Sequence, residues 1–193
     1  MLFSLTGASG SGKSSVLPYL AEVDWGADVE CVEFDSIGVP DGADTAWRHD
    51  AIEFWLQRGR EVQERGGHLV LCGQVAMGEL LAAPSADRLE RIAVCLLHCS
   101  PSARTARLLR RGEDPASIVH HVRFGEWLRA HTRDPAHAPE VIQVPSKVPM
   151  QWSRWTDLPP GDPAWRAEVI DNDSLTPAET ALVVERWIRR ELG

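Results

Sequence analysis

The sequence predicts an α/β fold of three layers, α/β/α, around a five-stranded parallel sheet. Two observations carry that reading. Short apolar runs alternate with helix-length stretches from one end of the chain to the other. The first of those runs leads through a glycine-rich loop directly into a helix, so that backbone N–H groups converge at a helix start. A length of 193 residues, 44% hydrophobic and 25% charged, suits one such domain, 1–193, with a proper core.

Leu2–Thr6 is short and apolar enough for a buried strand, and the helix after the loop begins at Ser14 and continues through Leu20. Asp28–Phe34 reads as the second strand, ending at Asp35-Ser36, with the turn-rich Gly38–Gly42 behind it. Asp44 or Thr45 caps a long helix to about Arg65, which Gly66-Gly67 stops. Trp47, Ile52, Trp55, Leu56 and Val62 give that helix an imperfect apolar face. Gly67–Gly73 is the third strand, with Gln74 at its carboxyl end; a helix from about Met77 to Ala83 runs into the Pro84-Ser85 break. Arg91–His98 is the fourth strand, and Ser100-Pro101 supplies an N-cap and first-turn proline for a helix through Leu109. Gly112–Pro115 reads as a loop and Ala116–Ala130 as another helix, so that about 104–130 forms a helical lid with Gly112 as a hinge. Thr132–Pro163 is proline-rich with few periodic signals. Arg166–Ile170 is the fifth strand, and the capping box Thr176-Pro177-Ala178-Glu179 opens a last helix to Arg190.

Gly7-Ala8-Ser9-Gly10-Ser11-Gly12-Lys13-Ser14 fits the phosphate-binding pattern G-x-x-x-x-G-K-[ST] at every required position. Glycines allow conformations a Cβ forbids, so successive N–H groups, through to Ser15 in the helix start, can point at phosphate oxygens. Lys13 reaches the β- and γ-phosphates, and the Ser14 hydroxyl sits on Mg²⁺. A nucleotide, ATP or GTP, with Mg²⁺ is therefore the expected cofactor, in a P-loop NTPase fold. A parallel sheet collects ligands beyond the carboxyl ends of its strands, which gathers Gly7–Ser14, Asp35, Gln74 and Cys99–Pro101 at one edge.

Composition narrows the class. A net charge of −8 disfavours a nucleic-acid partner, and no apolar run approaches the roughly 20 residues that span a bilayer. With the loop so near the N-terminus, a cytoplasmic protein without a signal peptide is expected, a monomer or homodimer. Cys95 and Cys99 on one strand would be about 13 Å apart, too far to share a tetrahedral zinc. The sequence lacks the Asn-Lys-x-Asp of a switch GTPase, and its third strand ends in Gln74 rather than the Asp-Glu of a motor or transporter. An acid after the second strand and an arginine-rich helix after the fourth fit phosphoryl transfer to a small hydroxyl compound. Asp35 is the candidate general base; ending a strand or holding a Mg²⁺-bound water is the competing role. Arg104, Arg107 and Arg111 share a helix face beside Arg110, where guanidinium groups neutralise the transferred phosphoryl or, alternatively, form a solvated surface.

These features resemble the adenylate-kinase-like group of small P-loop kinases, and within it the chloramphenicol phosphotransferase-like members. The resemblance lies in GASGSGKS, Phe34-Asp35-Ser36, the Arg-Thr-Ala-Arg…Arg-Gly-Glu region and Glu168–Asp173, over most of 1–130 and 166–193. It implies Asp35 as catalytic base, Arg107 against the nucleotide base, and Arg110 or Arg111 on the phosphates. It also implies that the Ile170–Ser174 loop, with Asp171 and Asn172, wraps the base. Asp171 or Asp173 there can accept from guanine, which keeps GTP open beside ATP. Gln74 departs from the carboxylate many relatives carry, and is free to bond substrate.

The acceptor is read from Trp47 and Arg48 on the helix after Asp35, and from the tryptophans of the irregular segment 132–163. Trp55, Trp127 and Trp187 are expected in the core. Trp47, Trp152 and Trp155 stand evenly between core and acceptor-pocket wall. His120, His121 and Arg123 fit a solvent-facing helix equally well and are not carried forward as catalytic. An aromatic pocket suits a nucleoside, an aryl compound or an antibiotic better than a sugar or a shikimate-like acid. The expected activity is a small-molecule kinase; a nucleoside or nucleotide kinase of ordinary metabolism and a non-catalytic nucleotide-binding regulator are the alternatives.

Overall fold

The computed structural model describes residues 1–193. Its centre is β1 (Leu2–Thr6), in which every residue is buried. β2 (Val29–Glu33), β3 (His68–Gly73), β4 (Ile92–His98) and β5 (Ala167–Asp171) complete a sheet of order β2-β3-β1-β4-β5. All four pairings are parallel. A strand flanked on both sides and apolar on both faces needs helices above and below it. One face is covered by α1 (Lys13–Ala21) and α6 (Pro177–Leu192), which close a core around Phe3, Leu5, Val16, Leu20, Val184 and Trp187. The other face is covered by α2 (Thr45–Glu64), α3 (Met77–Ala82) and α5 (Pro115–Arg133), with α4 (Pro101–Arg110) packed against α5. The three-layer sandwich expected from the sequence is the observed fold.

The predicted starts and stops are physical ones. Asp44, not Thr45, caps α2, its carboxylate accepting from the Trp47 amide at 2.9 Å. Ser100 caps α4 with Pro101 in the first turn, and the Thr176–Glu179 capping box opens α6. The register sets Thr6 opposite Gly73 and Leu96, Glu33 opposite Cys72, and His98 opposite Asp171. The strand ends therefore fall level and their loops meet at one edge.

The segment 132–163 is not an acceptor-side element. Its residues pack on α3 and the α2 layer, and none lines the open cleft described below. Trp155 is fully buried and donates to the Gly78 carbonyl at 2.8 Å; Trp165 donates to the His131 carbonyl and Trp127 to that of Ala138, each at 3.1 Å. Trp152 is half-buried, edge-on to His49 and to Trp155. Proline-rich sequence hides this because a buried indole needs only one carbonyl partner and no periodic neighbours. Trp55, Trp127 and Trp187 are core, as expected.

His131 sits inside this aromatic layer, stacked on Trp127 at 4.9 Å and edge-on to Trp155 and Trp165 at 5.3 and 5.1 Å. Neither ring nitrogen has a partner, and burial lowers its pKa from 6.5 to about 4. On acidification the unfolded chain therefore binds this proton first. The neutral ring's contribution is complete above pH 6.5 and is lost as the pH falls toward 4, by at most about 3 kcal/mol. Thermal unfolding between pH 7 and 4 should show this loss, and His131→Phe should flatten it; an unchanged slope in that variant would remove His131 as its cause.

Candidate active site

The loop between β1 and α1 is held from behind. Its carbonyls find partners one by one: Lys13 Nζ donates to Gly7 O at 2.6 Å and Ala8 O at 3.3 Å. Arg104 Nη1 donates to Ser9 O at 2.7 Å, and Asn172 Nδ2 to Ser11 O at 2.8 Å. Arg107 spans Gly10 O and Ser11 O with Nη1 and donates to the Asn172 side chain at 3.0 Å and its carbonyl at 2.8 Å. With carbonyls turned outward, the amides of Gly10, Gly12, Lys13 and Ser14 are left without a partner in the chain. Gly12 makes this reversal at φ 93°, where a Cβ would be strained. Four free N–H groups at a helix start fit an oligophosphate.

Arg104 is the residue the sequence pattern misassigned. It is 2% exposed, so it belongs to no lid surface. Its guanidinium fills a slot that Gly125 leaves open on α5; a Cβ there would lie 2.6 Å from Cζ. Helical spacing put Arg104 on one face with Arg107 and Arg111 but could not say that this face packs on the loop. Leu108 presses against Gly10 from the same helix. α4 is thus a fixed wall, and of its arginines only Arg110 and Arg111, at its carboxyl end before Gly112 at φ 81°, are exposed. Arg111 pairs with Glu113 at 3.1 Å.

In front of the loop lies a cleft of about 1210 Å³. Its donor end is lined by Lys13, Ser14, Ser15, Arg107, Arg110, Arg111 and Asn172. Gly7 and Ser11 lie behind the loop, buried. Asp173 and Leu175 line this end too, with Asp173 accepting from the Ser100 amide at 2.7 Å. Asp171 does not: its carboxylate is paired with Arg129, outside the cleft. Strand alternation separates Asp171, the last residue of β5, from Asn172, while Asp173 lies beyond the strand.

The other end is lined by Asp35, Trp47, Arg48 and Gln74. Asp35 follows β2 in a short 3-10 turn, Phe34–Ile37, and is exposed to the cleft. Trp55 pins that turn by donating to Phe34 O at 2.9 Å, while Trp47 stands edge-on to the Phe34 ring at 6.0 Å. Gln74 is not free for substrate through its carbonyl, which accepts from the Ser9 amide at 3.1 Å. Arg48 is tied to Glu79, a fully buried carboxylate on α3 that also accepts from the Ala76 amide at 3.0 Å. Burial alone would push the Glu79 carboxyl up, but Arg48, His49 and that amide together hold it below the usual range. Sequence reasoning missed Glu79; its signal was a lone acid in the apolar Met77-Gly78-Glu79-Leu80-Leu81.

No protein-family model and no curated protein sequence matches the chain. Solved structures do. The tunicamycin resistance protein of Deinococcus radiodurans superposes with a TM-score of 0.61 at 15% identity, over 97% of this chain and 94% of that one. A sugar kinase from Janibacter sp. HTCC2649 gives 0.60 at 12%, over 97% and 93%. Shikimate kinase from Acinetobacter baumannii, solved with shikimate, gives 0.52 at 18%, over 98% and 93%. At these identities the likeness is one of fold: the chain has the fold of small P-loop kinases.

Burial lowers the pKa of Lys13 to about 8, partly offset by Cys72, Asp35 and Glu33 and reinforced by Arg104. Phosphate favours the charged amine, so binding takes up a proton above pH 8. ADP affinity should be flat below pH 8 and fall above it by up to about tenfold per pH unit, with Lys13→Met abolishing the slope. Titration calorimetry from pH 7 to 9.5 measures this. Gly125→Ala should expel the Arg104 guanidinium, lower stability by about 2 kcal/mol and weaken ADP binding, although residue 125 touches no ligand. Native ADP affinity in that variant would show that the clamp does not shape the loop.

Proposed function

We propose that the protein is a Mg²⁺-dependent small-molecule kinase that transfers the γ-phosphoryl group of ATP or GTP to a hydroxyl. The observation carrying this reading is that the free amides and Lys13 share one cleft with the exposed carboxylate of Asp35. A nucleotide binder without chemistry has no need of a carboxylate beside the terminal phosphate. Lys13 and the loop amides hold the phosphates. Asp35 orients the acceptor hydroxyl and takes its proton as the new bond forms. Arg107 is committed to Asn172 and the loop carbonyls, which suits it to the nucleotide end; at the rim, Arg110 is the guanidinium without a carboxylate partner, and Arg111 beside it would have to leave Glu113 to meet transferred charge. Mg²⁺ would be held by the exposed Ser14 hydroxyl, in the same cleft as Asp35, and when bound it supplies charge neutralisation of the phosphates.

The acceptor is an aromatic or nucleoside-like hydroxyl compound, antibiotics included. Trp47, with Val39 and Ala43, gives its end of the cleft an apolar wall. The sequence resemblance to chloramphenicol phosphotransferase-like kinases and the shared fold of a tunicamycin resistance protein support that class.

Asp35→Asn separates the kinase from a nucleotide-binding regulator. Turnover in a screen of nucleosides, nucleoside antibiotics and aryl alcohols, with ATP and with GTP, should fall by about 10²- to 10⁴-fold in the variant while ADP affinity stays unchanged. Full turnover in the variant would remove Asp35 from the mechanism; tight nucleotide binding with no phosphorylated product would favour the regulator.

A further inference from the structure

The two ends of the cleft carry opposite charge. At the donor end the wall carries Lys13, Arg107, Arg110 and Arg111 against one carboxylate, Asp173. At the acceptor end the ionised groups on the wall are Glu33, Asp35, Asp44 and a single arginine, Arg48. That arginine is not available as a charge. Its Nε and Nη2 both lie 2.7 Å from one oxygen of Glu79, and Glu79 is completely buried behind it. His49 Nε2 is 3.4 Å from the same oxygen. Arg48 is therefore neutralised where it sits and held rigid, with 16% of its side chain exposed. What it offers a ligand is an oriented N–H edge, suited to a carbonyl or hydroxyl oxygen. The rest of this wall combines the Trp47 indole and the apolar Val39 and Ala43 with uncharged Thr45 and Gln74 and the three carboxylates.

We propose that this end of the cleft selects the acceptor by charge: it takes hydroxyl compounds that are uncharged or carry an amine, and rejects those carrying a carboxylate or phosphate. The inference rests on the kinase reading above and deepens it. An anionic acceptor would meet three like charges on the wall, and the one cation close enough to interact with Asp35 and Glu33, Lys13, is held on the Gly7 and Ala8 carbonyls at the phosphate loop; the low-dielectric walls of the cleft strengthen the repulsion. An ammonium group instead finds carboxylates, with the Trp47 ring, fixed edge-on to Phe34, as a face for cation–π contact. The arrangement separates this protein from kinases of acidic acceptors and from nucleoside-monophosphate kinases.

The test uses matched pairs with the full chain: nucleosides against their 5′-monophosphates, aryl alcohols against ring carboxylates, and amino alcohols against the corresponding hydroxy acids. Product is read as nucleoside diphosphate release above the acceptor-free rate. Turnover should be confined to the uncharged and amine-bearing members, with kcat/KM at least about tenfold above each anionic counterpart. In Glu79→Gln the Arg48 charge is no longer cancelled, and the gap should narrow at least about threefold while ADP affinity is kept. An anionic member turned over as well as its uncharged counterpart would overturn the inference and leave the kinase reading intact. So would an unchanged gap in a Glu79→Gln protein of native ADP affinity. No turnover of any member, anionic ones included, would sink the kinase reading and this inference with it.

Discussion

The site depends on what happens to the carbonyls of one loop. A glycine loop can turn its amides inward only if its carbonyls, on the opposite edge of the same peptides, find partners elsewhere. Here Gly7 and Ala8 are answered by Lys13, Ser9 by Arg104, and Ser11 by Asn172, with Arg107 bridging Gly10 and Ser11. Apart from Lys13, which belongs to the loop itself, those partners come from α4 and from just beyond β5, roughly a hundred and more residues away in sequence. The loop is a local motif with a non-local support, and the order β3-β1-β4-β5 brings that support within reach.

The same dependence changes the meaning of the arginine helix. Four arginines in eight residues read as a basic surface or as a lid. In the fold they serve at three depths. Arg104 is buried under the loop and its pKa is lowered by desolvation, Arg107 ties the loop to Asn172, and Arg110 with Arg111 stand at the rim. A helix packed on the loop by Arg104 and Leu108 cannot swing from its base, so any closing motion belongs to the segment beyond Gly112.

What was legible in the sequence followed local rules. Strand and helix order, the caps at Asp44, Ser100 and Thr176, and the gathering of Lys13, Asp35 and Gln74 at one sheet edge all come from short-range chemistry plus the parallel topology. What was not legible required knowing which side of an element meets another. Asp171 and Asn172 are neighbours, yet one pairs with Arg129 outside and the other is buried under the loop. Trp155 lies in a proline-rich stretch without periodicity and is nonetheless among the most deeply buried side chains, because Gly78 leaves room for its ring and supplies its carbonyl partner. Gln74 occupies a position expected to face ligand, and its carbonyl is spent on the Ser9 amide instead.

The loop by itself specifies phosphate binding and no fate for the phosphate. The fate is written in the asymmetry of the cleft. On the proposed kinase reading, the cations at one end would hold a polyphosphate and the carboxylates at the other would repel one, which orients a nucleotide in a single sense. The buried Glu79 sharpens that asymmetry by cancelling the lone acceptor-side cation. A cleft of one sign throughout would hold two phosphorylated ligands; one that changes sign between Lys13 and Asp44 suits the transfer proposed above, from a charged donor to an acceptor that brings no negative charge of its own.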